Sequence, residues 1–273
     1  MAFIVVTCAS PTAAPTPSDA SSIAPSMAPS LAPSFVPSAA PGSAVPSFEA
    51  ITTETVDGVT VTDLIFDGGR PSDAYLVVPD GAPAGSAAGI LWFHWLESGA
   101  TNSNKTEFLE EAKALAASDG VVSLLVDGTF PWRERPESTQ HDRQSIEAEV
   151  KMLTAAYALL LARPEVNPSR TALAGHDFGA MYSSVLFSRD QRPRALVMMA
   201  PTARFADWYL RYWPITDDPD QYRTTMAPFD PVTTLAGGGG GRPVLLQFAT
   251  GDRFIPADVA AEIEAAAGAT AER

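Results

Sequence analysis

Five short, mostly apolar runs constrain this chain more than anything else in it. They are "GILWFHW" (89–95), "VVSLLVD" (121–127), "RTALAGH" (170–176), "RALVMMA" (194–200) and "PVLLQFA" (243–249). A run of this length that lacks alternation suits a strand covered on both faces, as strands of a parallel sheet are. Helical stretches lie between most of them. "KTEFLEEAKALAAS" (105–118) and "QSIEAEVKMLTAAYALLLA" (144–162) are amphipathic. In the second, Ile146, Val150, Leu153, Tyr157 and Leu160 hold a three-to-four spacing, and Glu147 and Lys151 are expected to pair on the outer face. Upstream, "EAITTETV" and "VTVTDLIFD" flank Asp57-Gly58, a strong hairpin signal, and "DAYLVVP" (73–79) adds a further strand. Antiparallel strands followed by alternating strands and helices predict an α/β fold: a mainly parallel sheet with helices on both faces.

The first 47 residues read differently. Prolines recur at Pro25, Pro29, Pro33, Pro37 and Pro41, and each removes a backbone donor, so neither helix nor central strand can form there. Residues 9–47 are therefore expected to be a Pro/Ser/Ala-rich extended spacer that makes few contacts with the domain at 48–273. Before it, "AFIVVTCAS" places Cys8 after a short apolar run, and residues 1–8 resemble the remnant of a bacterial lipoprotein signal. That resemblance implies export to the cell envelope or beyond, with membrane anchoring through an acylated Cys8.

Charge excludes one class of partner. The formal net charge is −14 and lysine occurs only at 105, 113 and 151, with no basic run to offer nucleic acid. Cys8 is the single cysteine, which rules out an internal disulfide and a cysteine-based zinc site. No metal or cofactor is expected, the partner is a small-molecule substrate, and the sequence does not fix the oligomeric state.

The chemistry is carried by "TALAGHDFGA" (171–180), a strand running into a sharp turn and a helix. Gly175 and Gly179 flank Asp177 at two positions either side, where a strained turn and a close strand–helix approach leave no room for side chains. Asp177 alone could also serve as a helix cap. The pattern and the strand order resemble the α/β-hydrolase superfamily, with a dienelactone-hydrolase-like layout. "GHDFG" is similar to the "GHDWG" of epoxide hydrolases and haloalkane dehalogenases, which carry aspartate where most members have serine. The resemblance implies a nucleophilic Asp177 and oxyanion-hole amides from Phe178 and Trp95. It also implies that Asp252, in "ATGDRFIP", orients a catalytic histidine. Glu97 is either a carboxylate near the nucleophile or a solvated loop acid. Phe178 replaces the tryptophan that binds halide in dehalogenases, which argues against dehalogenation.

A lid is expected at 202–242, with Phe205, Trp208, Tyr209, Tyr212 and Trp213 on one helical face over the site and "AGGGGG" (236–241) at its far end. Tyr209, Tyr212 and Tyr222 are the hydroxyls an epoxide-opening enzyme would need. Arg133 and Arg135 could meet a substrate carboxylate or lie in a solvated loop. Among the three histidines, His94 and His176 read as scaffold, and His141 opens a helix ahead of the nucleophile. The resemblance therefore places the base on a last strand and loop beyond Arg273, so the chain reads as an inactive fragment of a hydrolase for small, mostly apolar substrates (ester, lactone or epoxide). The competing expectation is a hydrolase-fold protein that binds a ligand without turning it over.

Overall fold

The computed structural model describes residues 45–97, 99–129, 138–213, 217–236, 239–268 and 271–272. Cys8, most of the spacer, Arg133 and Arg135 lie outside these residues.

The hairpin forms where Asp57-Gly58 predicts it. Strands β1 (Phe48–Val56) and β2 (Val59–Asp67) pair antiparallel, Val56 opposite Val59, and both turn residues take positive φ. Val45, Pro46 and Ser47, assigned by sequence to the spacer, are ordered ahead of β1, and the Ser47 carbonyl accepts from the Asp67 amide at 3.3 Å. Strand β3 (Pro71–Pro79) continues the antiparallel part. The apolar runs supply β4 (Ala87–Phe93), β5 (Val122–Val126), β6 (Val166–His176), β7 (Ala195–Met199) and β8 (Val244–Gln247). The described strands form one sheet in the order β1-β2-β3-β5-β4-β6-β7-β8-β9, and β5, β4, β6, β7, β8 and β9 run parallel to one another. The ninth strand, β9 (Ala271–Glu272), is two residues long and pairs with Val244 and Leu245. Sequence reasoning placed that strand just past the chain.

Both faces of the sheet are covered. On β5, Leu124 and Val126 enter the larger core cluster and Leu125 the smaller one opposite, as the two-residue strand period requires. The smaller cluster lies under α1 (Leu109–Asp119), which presents Ala112 and Ala116. The larger one holds α2 (Thr139–Leu161) and α3 (Phe178–Arg189). Ile146, Val150, Leu153, Tyr157 and Leu160 of α2 are all buried, as their spacing predicts. Glu147, however, pairs with Arg189 on α3 at 2.7 Å instead of with Lys151. Guanidinium and carboxylate meet there as a two-bond fork, which a lysine cannot offer.

Helix α1 starts four residues later than its amphipathic pattern suggests. Residues 105–108 form a turn because their side chains are committed elsewhere. Lys105 bonds Asp63, and Phe108 packs on Trp92 with ring centroids 4.9 Å apart. Glu107, between them, turns toward the end of β4. After β7 the expected lid contains α4 (Phe205–Tyr212), α5 (Pro219–Met226) and the short α6 (Pro231–Thr234). Helix α7 (Ala257–Ala267) follows the 252–256 turn. Among the described residues no helix is long and apolar enough to cross a membrane, and no group of three or more His, Cys, Asp or Glu side chains is placed to hold a metal ion.

Candidate active site

The turn between β6 and α3 is as tight as its glycines imply. A Cβ on Gly179 would stand 2.1 Å from the carbonyl oxygen of Phe93, and one on Gly175 would stand 2.4 Å from the backbone of Gly179. No side chain fits such spaces, so strand β4, strand β6 and helix α3 meet here backbone to backbone. Asp177 sits at the apex with φ 51° and ψ −117°, a strained conformation for a residue with a side chain. The turn is tied to the strands beside it. The Asp177 amide donates to the Met199 carbonyl at 2.8 Å, and the next residue, Ala200 (φ 46°), donates its amide to the Gln247 carbonyl at 2.8 Å.

Although Asp177 holds the position before α3, its side chain does not cap the amides further along that helix. Its carboxylate faces a cavity of about 280 Å³ lined by Trp95, Leu96, Glu97, His176, Ala200, Trp208, Tyr212, Asp252, Phe254 and Ile255. Burial among these groups pushes the Asp177 pKa up to about 7. The amides of Leu96 and Phe178 and the charge of His176 pull it back, and the charge of Glu107 raises it further.

One expected oxyanion donor is corrected. The Trp95 amide is claimed by Glu107, whose Oε2 accepts from it at 2.7 Å. The next amide along, that of Leu96, reaches the site instead and donates to Oδ2 of Asp177 at 3.2 Å. The Phe178 amide hydrogen-bonds the same carboxylate. The Phe178 ring plays another part. Fully buried, it stacks on Tyr209 (5.8 Å, 17°) and meets Phe205 and Trp208 edge-on, so it anchors the lid helix beneath the cavity.

The lid aromatics divide by depth. Trp208 and Tyr212 line the cavity, and Trp208 meets Phe254 edge-on at 5.8 Å. Tyr209 and Trp213 do not, contrary to the expectation that they lie over the site. Tyr209 is 3% exposed and its hydroxyl lies 3.4 Å from that of Tyr182, while Trp213 is buried edge-on against it. An eight-residue helix wide enough to cover the site must bury one flank of its stripe in the core. Tyr222 is also structural, its hydroxyl donating to the buried Asp142 at 2.8 Å. Of the three tyrosines considered as epoxide donors, Tyr212 alone faces the cavity.

Asp252 also lines the cavity, its Oδ1 accepting from the amides of Phe254 (2.7 Å) and Ile255 (3.2 Å). Glu97 sits at the rim with an exposed side chain. His94 is scaffold: buried, it has Nδ1 2.7 Å from the Trp95 carbonyl while Nε2 accepts from the Gly128 amide. His141 stands at the first turn of α2, away from the cavity lining. The residue that sequence reasoning missed is Glu107, which bridges the Trp95 amide and, through Oε1, Nδ1 of His176 at 2.6 Å. Nothing marks it in the sequence, where it reads as one more polar residue of a helix.

No protein-family model matches the chain, and no curated protein matches it in sequence. Solved structures match it in fold. An acetyl xylan esterase from Paenibacillus sp. R4 superimposes with a TM-score of 0.61 at 18% identity, over 83% of this chain and 80% of that one. The chain has the α/β-hydrolase fold. Acetyl xylan esterase 1 from Thermoanaerobacterium sp. JW/SL YS485 gives 0.56 at 16% identity, over 83% of this chain and 80% of that one. A cold-adapted esterase from an Arctic intertidal metagenomic library gives 0.55 at 15%, over 82% and 86%. The β6–α3 turn is a tight strand-to-helix elbow, and Asp177 occupies its apex.

Proposed function

We propose that the protein hydrolyses ester or lactone bonds of small, mostly apolar substrates, with Asp177 taking the proton from the attacking water. The observation that carries this is a carboxyl at the elbow apex, facing a small aromatic cavity, with a pKa of about 7. A base is most effective when its pKa lies near the working pH. The structural neighbours supply the bond type, since the proteins it resembles in fold are esterases. Aspartate attack on an ester carbonyl would instead give a mixed anhydride, a high-energy intermediate that base catalysis avoids. Asp252, which lines the same cavity, adds a further carboxylate to its wall.

A second reading has its own support. The Leu96 amide holds one oxygen of an Asp177 carboxylate that lines the cavity, which suits attack on a saturated carbon such as that of an epoxide. One experiment separates the two. Single turnover in H₂¹⁸O followed by mass spectrometry of the Asp177 peptide leaves the carboxylate unlabelled if it acts as a base. Label enters it if a water cleaves an alkyl ester formed on Asp177. Saturable binding of small esters with no turnover by wild type would select the ligand-binding alternative and overturn the enzyme reading.

A further inference from the structure

His176 has so far been only a wall of the cavity, yet its ring is held as a working imidazole is held. Oε1 of Glu107 stands 2.6 Å from Nδ1, and the indole of Trp95 stacks flat against the ring, centroids 5.4 Å apart and 8° between planes. Glu107 is itself fixed, because its second oxygen accepts from the Trp95 amide. An ionised carboxylate only accepts, so the proton of a neutral His176 sits on Nδ1. Nε2, on the other side of the ring, has no partner among the described residues, and the 29% of the side chain left exposed belongs to the cavity wall. An orienting carboxylate and one uncommitted nitrogen facing a substrate cavity make histidine a proton-transfer group.

We propose that His176, oriented by Glu107, is the proton donor to the leaving group in the hydrolysis set out above; the inference rests on that reading. The step balances. Water oxygen bonds the acyl carbon as Asp177 takes its proton. The bond from that carbon to the leaving oxygen then breaks, and the leaving oxygen takes the proton from Nε2. Water has been added across the ester, and the proton on Asp177 returns to His176 through solvent. The groups whose charge acts on the ring are all carboxylates, Glu107 from the turn before α1, Asp177 from the elbow and Asp252 from the turn before α7, and Glu97 and Tyr212 line the same cavity. Burial lowers the His176 pKa, but the bond and charge of Glu107, backed by Asp177 and Asp252, more than reverse this and raise it above 6.5.

The test uses the 273-residue chain and two esters of one acid, an ethyl ester and a p-nitrophenyl ester. Ethoxide must be protonated to leave, whereas p-nitrophenolate needs no proton. His176→Gln should lower kcat on the ethyl ester about 100-fold and on the p-nitrophenyl ester less than about threefold. Glu107→Gln retains an acceptor for the Trp95 amide but removes the charge. It should move the high-pH limb of the ethyl-ester profile, and the imidazole pKa seen by NMR, to lower pH. Equal losses on both esters in His176→Gln would overturn the donor role. So would an unmoved high-pH limb in Glu107→Gln, which decides the matter if His176→Gln fails to fold. Wild type inert toward both esters would overturn the underlying hydrolase reading instead.

Discussion

Asp177→Asn should make the protein more stable, and by more at high pH than at low. In the wild type, burial raises the carboxyl from its ordinary 3.8 to about 7, against the pull of the Leu96 and Phe178 amides and of His176. Between those values the folded protein keeps a proton that the unfolded chain has released. Stability therefore falls as pH rises from about 4 to about 7, and is flat above. At about 1.4 kcal/mol per pH unit, the full cost is about 4 kcal/mol at pH 8 and about 1.5 kcal/mol at pH 5. Asparagine does not ionise, and its carbonyl oxygen can still accept from Leu96. Urea unfolding of both proteins should show the variant's advantage growing by about 2.5 kcal/mol between pH 5 and pH 8. Asp230, also raised to about 7 by burial, is common to both proteins and cancels in the difference. An advantage of the same size at both pH values would refute the claim that the folded protein strains to hold this charge.

Three further outcomes follow from the packing. Gly179→Ala puts a methyl 2.1 Å from the Phe93 carbonyl and should cost at least about 3 kcal/mol, measured as a fall in thermal midpoint together with loss of ester turnover. Tyr222→Phe strips a partner from the buried carboxylate of Asp142 and should cost about 1–3 kcal/mol in urea unfolding while leaving KM for small esters unchanged. Trp208→Ala removes a cavity wall and should raise KM for an aromatic ester about 10-fold, the equivalent of about 1.4 kcal/mol of lost contact, with the thermal midpoint measured in parallel.

The sheet and the elbow were legible because both rest on local rules. Unbroken apolar runs mark strands with no wet face, and the Gly175–Gly179 spacing answers to a contact that no side chain tolerates. The amide facing Asp177 was missed by one residue, since Trp95 and Leu96 differ only in which of them a carboxylate twelve positions on has taken. Glu107 itself was hidden by a helical pattern that runs on past the true start of α1. His176 looked like scaffold for the same reason: its role depends on Glu107, a tertiary partner. The lid stripe has a similar limit. A 3.6-residue period shows that Phe205, Trp208, Tyr209, Tyr212 and Trp213 share a broad face, but not that Tyr209 and Trp213 fall on the core side of it.

The bonds from Asp177 to Met199 and from Ala200 to Gln247 have a consequence in time. They lash the ends of β6, β7 and β8 together at the apex, so the Asp177 amide cannot be freed without parting β6 from β7, and the Ala200 amide cannot be freed without parting β7 from β8. Backbone groups bound in this way open only with the core of the sheet, at close to the full free energy of unfolding. In deuterated water these two amides should be among the last in the chain to exchange. The floor of the site keeps its shape for as long as the molecule is folded, and any adjustment to different substrates falls to the side chains above it.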